Sequence, residues 1–555
     1  MERLAEAQRL KHLLEMEKGA VVKPWGGRIP IALVFPNTYS LGMANLGFQL
    51  VYSMLNGQDD IVCERFFWEE ERDTPLSVES QSPLSRFEIV AFSIPFENDF
   101  LNLPKILKAS GVPLESRKRR PPHPMVWVGG ITTSMNPEPL ARFADLFAVG
   151  EAEELLPELV ELYREMRAKR ATKEECLEEM ARKIEGVYVP SLYRVTYDHR
   201  GLVRSFVPKK DVPPRVKRRV VEDLDKIVPT TRVMGPGAQF SGMFLVEIGR
   251  GCPRRCRFCA AGHLFRPTRH RSLQSLLPAL EEGVRVQGKV GLVSASVGDH
   301  PHLREICSRI LEIGGKISVS SLRLDALEDF LLDALAKSGH KTVSLAPEAG
   351  SQRLRDLVAK GITEEEVLRA VEKVASAGIQ AIRMYFMVGL PTETREDVDA
   401  IGELVKRSLH RARVLTHGKG LERITLSVSP FVPKPWTPFQ WHPFMDLGEI
   451  RRRLEQLKRI LKGERKVFVV HETPNWASIQ ALLARADRRI GLALSMVAEG
   501  MSLKEAMRNL NLNPEFYLYR TREKDEIFPW DFLDHGFSKE SLWEIYSRAV
   551  GQGTR

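Results

Sequence analysis

Gly249-Arg250-Gly251-Cys252-Pro253-Arg254-Arg255-Cys256-Arg257-Phe258-Cys259-Ala260-Ala261-Gly262 is the stretch on which the reading of this chain turns. It gathers three of the six cysteines of a 555-residue chain into eight positions. The C-x3-C-x2-C spacing, with an aromatic residue directly before the third cysteine, is hard to explain by packing. Three thiolates on a tight loop can ligate three irons of a [4Fe–4S] cube. The fourth iron then lacks a protein ligand and is open to a small molecule that receives an electron. The same residues also allow a zinc site, which wants four ligands. His263, four residues beyond Cys259, could complete one.

Working outward, apolar runs recur with helices between them from 243 to about 440. They lie at Phe244–Ile248, Val290–Ser294, Ile317–Leu322, Thr342–Leu345, Ile382–Val388 and Ile424–Val428. The first leads straight into the cysteine loop. Six such repeats predict a partial (β/α)6 barrel, and barrel enzymes carry function at the carboxyl ends of their strands. Ser294 and Ser296 follow the second strand, Arg323 the third, Glu348 the fourth and Gly389-Leu390-Pro391 the fifth. A mutual Arg323–Glu348 ion pair that merely shapes the barrel mouth is the plain structural reading of those two. Ser427, inside the last strand, is expected to face a helix.

Upstream, residues 28–165 read as a doubly wound, Rossmann-like α/β domain. Apolar strands at Ile29–Phe35, Phe87–Ser93, Met125–Val128 and Leu146–Val149 alternate with helices, the pattern of a buried parallel sheet. Ligands of such sheets sit beyond the carboxyl ends of the strands. Those ends carry loops 36–43, 93–99, 129–136 and 150–153. Residues 1–27 read as an amphipathic helix, 166–242 as a helix and a basic, Pro-rich linker, and 441–555 as a small α/β cap. Proline and aromatics at Pro433–Trp441 and Phe528–Asp531 suit either a lid over a barrel mouth or plain inter-domain packing.

The cysteine loop resembles the signature of the radical S-adenosylmethionine (SAM) superfamily. That resemblance implies a [4Fe–4S] cluster on Cys252, Cys256 and Cys259 whose open iron chelates SAM. Reductive cleavage of the sulfonium would then yield a 5′-deoxyadenosyl radical. It further implies that Ser294 and Ser296 meet the SAM amino group and that Arg323 and Glu348 line its pocket, Glu348 against the ribose or amino group. Gly389 would run along the adenine, with Phe258 packed nearby. No catalytic residue beyond these cofactor contacts is assignable.

The N-terminal unit resembles the cobalamin-binding domain that precedes many radical SAM barrels. The matching pieces are Gly129-Gly130, Asn136-Pro137-Glu138-Pro139 and Gly150-Glu151-Ala152-Glu153. Thr38, Ser93, Gly129, Gly130 and Gly150 are the candidate cobalamin contacts. No D-x-H-x-x-G motif is present, and Asp198-His199-Arg200-Gly201 has the wrong spacing, so a histidine-ligated cobalt is not expected. The Pro36-Asn37-Thr38-Tyr39 and Pro433–Trp441 runs resemble those of an uncharacterised group within the superfamily.

Three functions compete. The first is a cobalamin-dependent radical SAM enzyme, for which methyl transfer to an unactivated carbon is the implied chemistry. The second is a radical SAM enzyme acting on RNA or protein, with a vestigial, cobalamin-free N-terminal sheet. Methylthiotransferase chemistry is disfavoured within it, because no second cysteine group exists. The third is a zinc-containing nucleic-acid-binding protein. The resemblance also implies a small flavodoxin- or ferredoxin-type electron donor.

Lys plus Arg number 82 against 72 Asp plus Glu, a net charge of +10, which leaves a nucleic-acid substrate open without demanding one. The densest basic stretches, Arg117–Arg120 and Lys209–Lys210 with Arg215 to Arg219, read as solvated linker. No apolar run is long enough to span a membrane, and scattered Cys63, Cys176 and Cys307 suit buried free thiols. A cytoplasmic location is expected.

Overall fold

Ile29–Phe35 (β1), seven residues without an exposed side chain, forms the middle of the first sheet. The computed structural model describes residues 2–69, 75–319, 322–417 and 420–552. Around β1 lie Ile61–Phe67 (β2), Ile89–Ser93 (β3), Met125–Gly129 (β4), Leu146–Ala148 (β5) and Val187–Tyr188 (β6). Their order is β2-β1-β3-β4-β5-β6; the first five run parallel and β6 antiparallel. Such a doubly wound order reverses between β1 and β3, where a crevice opens at the carboxyl ends.

The β2 strand escaped the sequence reading because Glu64 and Arg65 interrupt its apolar run. Arg65 is nonetheless 1% exposed. Its guanidinium grips Glu17 at 2.5 and 2.9 Å and Glu79 at 2.7 Å. A buried cation is tolerated only when paired and hydrogen-bonded in this way. The pair also anchors helix Glu2–Met16, whose Leu10 and Leu13 are buried, beside the sheet.

The second sheet system holds Phe244–Glu247 (β7), Lys289–Val293 (β8), Lys316–Val319 (β9), Thr342–Glu348 (β10), Ala381–Val388 (β11) and Arg423–Pro430 (β12). Parallel ladders join β7-β8-β9 and β10-β11-β12, and a parallel bridge from Leu322 to Leu345 connects them. Residues 320 and 321 of the expected third strand lie outside the described residues. A further strand, Val467–His471 (β13), pairs in parallel with β12. The barrel sheet therefore runs past 440 and takes in a strand assigned from sequence to the cap. Local composition marks a strand but does not name its neighbour.

Alternation along β11 and β12 sorts the two faces. Ile382, Met384, Phe386, Ile424, Leu426 and Val428 are buried under the helices. Arg383, Tyr385, Thr425 and Ser427 point the other way, into the lumen. Ser427 thus faces the barrel interior, contrary to expectation, because it is one residue out of phase with its buried neighbours.

The C-terminal segment wedges between the two sheet systems rather than standing apart. Trp436, Trp441 and Trp530 are at most 2% exposed, and Gln440 accepts from the Trp530 indole N–H at 3.0 Å. These prolines and aromatics are packed core. The basic stretches also depart from plain solvated linker: Arg119 and Arg218 are buried, and Arg119 is paired with Asp145 at 3.0 Å. Among the described residues, no helix is long and apolar enough to cross a membrane.

Candidate active site

The cysteine loop leaves β7 through Ile248, whose N–H reaches Val293 O at 2.9 Å. Gly249–Arg250 then pairs with Arg269–His270 and closes the loop at its base. Gly251 has φ +86°, and a Cβ there would lie 2.1 Å from Phe265 O, so the loop can close only on glycine. Inside it the Cys259 N–H donates to Cys256 O at 3.1 Å.

Cys256 is buried, and Cys252 and Cys259 are half-buried. Burial raises the Cys256 and Cys259 thiols above their usual range, and the charges of the neighbouring loop cysteines add to it. The loop cysteines thus lie near enough for each to feel the others' charge. Cationic groups face them: Arg323 Nη1 stands 3.9 Å from Cys256 Sγ, and Lys360 also favours the thiolate. Backbone N–H groups of Ala261 and Gly262 do the same for Cys259. An iron–sulfur cube fits this donor set, since coordination deprotonates thiols outright.

His263 is 5% exposed, and one ring nitrogen is engaged with Cys256 O at 3.1 Å. Burial holds its pKa down to about 4. The imidazole braces the loop backbone. Among the described residues, no group of three or more His, Cys, Asp or Glu side chains is placed to hold a single metal ion. A cube distributes its thiolates over separate irons and needs a wider spread than zinc does.

Ser294, Ser296, Arg323, Glu348 and Gly389 all lie where strands β8 to β11 end, on the side of the cysteine loop. Ser294 Oγ accepts from Ser296 N at 3.3 Å, and the buried Ser296 hydroxyl donates to Asp299. Asp299 holds Arg254 at 2.7 Å, Arg254 reaches Asp325 at 3.1 Å, and Asp325 holds Arg323 at 3.0 Å. One ionic chain thus ties the cysteine loop to the ends of β8 and β9.

The alternative of a mutual Arg323–Glu348 pair is not met, since each has another partner. Arg323 turns to Asp325 and to Lys360 O at 3.0 Å, and Glu348 pairs with Lys360 Nζ at 2.8 Å. Glu348 sits at φ +69°, a left-handed conformation rare for a residue with a side chain. Such strain clusters at ligand sites. Lys360 was missed. It follows a short helix, Gln352–Leu357, and no local pattern says that the chain bends back there toward Glu348.

Gly389 has φ +87°, and its N–H donates to the Glu393 carboxylate at 3.0 Å. Burial pushes the Glu393 carboxyl up to about 7. This carboxylate, also unforeseen, shapes the Gly389-Leu390-Pro391 turn from within. Phe258 is half-buried against the core, and its neighbour Arg257 anchors the loop through Val358 O at 3.0 Å.

In the N-terminal sheet, Ser93, Gly129, Gly130 and Gly150 line one crevice of about 90 Å³ between the sheet face and helix Ala152–Ala168. Its other walls are apolar, with Trp127, Leu155 and Leu159 among them. Thr38 is not part of it. The chain after β1 turns into Tyr39–Gly42, which packs Tyr39 on Phe67 at 5.1 Å and carries Thr38 away. Gly130 and Gly150 answer to backbone crowding, since a Cβ would lie 2.5 Å from Ile94 O and 2.3 Å from Arg219 O. Gly129 alone of the three has open space, with nothing nearer than 3.9 Å.

The remaining motif residues serve docking. Asn136 donates to Ala484 O and Ala486 O, and Glu138 holds Arg488 at 2.7 Å and Tyr188 at 2.5 Å. Glu151 grips Arg269 at 2.7 Å, and Glu153 grips Arg250 at 2.7 Å.

Residues 47–190 match the family of radical SAM proteins, N-terminal, and residues 246–405 match the radical SAM superfamily. The chain is 32% identical to the uncharacterized protein MJ0966 of Methanocaldococcus jannaschii, over 89% of this chain and 97% of the relative. It is 25% identical to the uncharacterized methyltransferase PH0819 of Pyrococcus horikoshii, over 40% of this chain and 48% of the relative. Among solved structures, the cobalamin-dependent S-adenosylmethionine radical enzyme OxsB matches with a TM-score of 0.48 and 14% identity, over 95% of this chain and 79% of that chain. With three clustered cysteines at the mouth of a parallel barrel and matches along both sheet systems, the chain belongs to the radical SAM superfamily and is an enzyme that uses a [4Fe–4S] cluster and SAM.

Proposed function

We propose that this radical SAM enzyme is a cobalamin-dependent methyltransferase acting on an unactivated carbon. The observation that carries the reading is the apolar crevice at Ser93, Gly129, Gly130 and Gly150. It lies near the carboxyl edge of a doubly wound sheet, and that edge is turned toward the barrel mouth. Glu97, just past β3, reaches Lys434 beyond β12 at 2.5 Å and Gln480 at 2.9 Å. The methyltransferase name of PH0819 is in keeping with it.

In this reading Cys252, Cys256 and Cys259 hold the cluster, which supplies the electron for reductive cleavage of SAM. Ser296, Glu348 and the Gly389 turn shape the SAM pocket, and Lys360 holds the Glu348 carboxylate in place. Ser93 and Gly129 would flank one end of cobalamin, whose body is far larger than their crevice of about 90 Å³ and would lie outside it; the group supplies a methyl carrier. An electron donor of flavodoxin or ferredoxin type would approach the outer, arginine-rich face of the loop, where Arg255 is exposed.

Anaerobic reconstitution with hydroxocobalamin, followed by gel filtration, tests the assignment. Cobalamin should co-elute with the wild type, and Gly129→Leu, which fills the crevice where a side chain fits, should lose it. If none stays with the wild type, the methyltransferase reading falls. The second reading, a radical SAM enzyme with a cobalamin-free scaffold sheet, would then stand. It draws on the fact that Gly130 and Gly150 have structural reasons of their own.

A further inference from the structure

Arg383 lies in the lumen wall, and among the described residues no carboxylate pairs with it; its Nη1 donates to Ser427 Oγ at 3.0 Å. The cations nearer the mouth differ: Arg323 has Asp325, and Lys360 has Glu348. The Glu348 carboxylate is thus already engaged. Leaving a half-buried guanidinium beside apolar surface without a counter-ion costs free energy. Its planar fork of N–H donors is shaped for a two-oxygen anion.

The wall around it is apolar and uncovered. Phe468 is 53%, Val470 54% and Tyr385 36% exposed. The strand register places them on one face. Tyr385 lies opposite Ser427, and Ser427 opposite Val470; Arg383 lies opposite Thr425, and Thr425 opposite Phe468. Arg383 is therefore one rung below Tyr385, and its bond to Ser427 draws the guanidinium up toward the carboxyl ends.

Glu348 pairs with Phe386, three residues further along β11 than Arg383. At the rise of an extended strand, the Arg383 backbone lies about 10 Å below the level of Glu348. That depth accommodates a small body between a bound anion and a reacting atom at the mouth.

We infer that Arg383, braced by Ser427 and flanked by Tyr385, Phe468 and Val470, binds a substrate that carries a carboxylate or phosphate on an apolar body. This rests on the radical SAM reading of the mouth. Arg383 holds and orients the anion, and the apolar wall covers the rest of the molecule.

Calorimetric titration of the reconstituted holoenzyme with benzoate, phenyl phosphate and benzamide tests it. Wild type should bind benzoate or phenyl phosphate about tenfold more tightly than benzamide, the effect of one charge-assisted pair of hydrogen bonds. The tighter of the two anions identifies the group. Arg383→Gln should abolish the preference while keeping cluster absorbance. Arg383→Lys should keep part of it, and Phe468→Ala should weaken all three probes alike. A wild type without the preference, or a folded Arg383→Gln that retains it, overturns the inference. Should Arg383→Gln not fold, a Ser427→Ala variant with undiminished preference overturns it. A wild type that forms no 5′-deoxyadenosine would instead sink the radical SAM reading.

Discussion

The loops at the carboxyl ends of the two sheets look alike in sequence and behave differently in the fold. In the barrel, Cys252, Cys256 and Cys259 share one short loop, Arg323 and Lys360 favour the Cys256 thiolate, and Glu348 is held at φ +69°. In the N-terminal sheet, the motif residues are taken up by the molecule itself. Asn136 and Glu138 hold the segment at Ala484–Arg488, Glu151 and Glu153 hold Arg269 and Arg250, and Gly130 and Gly150 make way for backbone. A glycine or a carboxylate at a strand end is therefore weak evidence of a ligand until its neighbours are known. A crowded set of thiols, which buried backbone has no use for, is strong evidence.

The contrast breaks most sharply at the cysteines. Cys256→Ala should remove the cluster and SAM cleavage altogether while leaving the circular dichroism of the fold unchanged; full iron content in that variant would end the assignment. In the other region, Glu138→Ala should leave SAM cleavage per folded molecule intact and lower stability by about 3 kcal/mol, the order expected when one partner of a buried ion pair is removed. A urea titration reads it, and a loss of SAM cleavage without a loss of stability would contradict the docking role. Glu348→Gln should keep the cluster and weaken SAM binding about tenfold through one lost charge-assisted hydrogen bond. Unchanged affinity by equilibrium dialysis would reduce Glu348 to a partner of Lys360.

The smallest effects are in acid, and they have opposite signs in the two regions. In the barrel, burial, with His270 adding to it, holds the His300 pKa down to about 4. The unfolded chain takes up that proton near 6.5. The stability from neutral His300 is present above that value and falls as the pH drops toward 4. In the N-terminal sheet, burial pushes Asp99 up to about 6, against its hydrogen bond from Asn37. Its contribution is present below about 3.9 and is lost as the pH rises through 6. Denaturation midpoints across this range should flatten in His300→Gln on the acid side, and in Asp99→Asn should lose the decline toward neutrality. Parallel curves for wild type and either variant would refute the corresponding shift.

Much of this molecule was legible in its residues because the signals are local. Cysteine spacing is set by covalent distance along a loop, and buried parallel strands announce themselves as continuous apolar runs, as β1 and β4 do. The six expected barrel strands could be placed, and with them the strand ends that carry Ser294, Arg323, Glu348 and Gly389. The β2 strand could not be seen, since a buried Arg65 looks like a surface residue until Glu17 and Glu79 close on it from elsewhere in the chain.

Which groups meet across the fold was decided by tertiary structure alone. Lys360 reaches Glu348 because a helix ends and the chain turns back. Ser427 faces Arg383 because neighbouring strands share a register. Val467–His471 joins the barrel because β12 leaves it an open edge. The sequence by itself determined the cluster and SAM chemistry and where most strands fall along the chain, which depend on contacts between near neighbours. Partnerships between distant residues depend on loop closure and packing, whose free energies are sums over the whole chain and leave no trace at any one position.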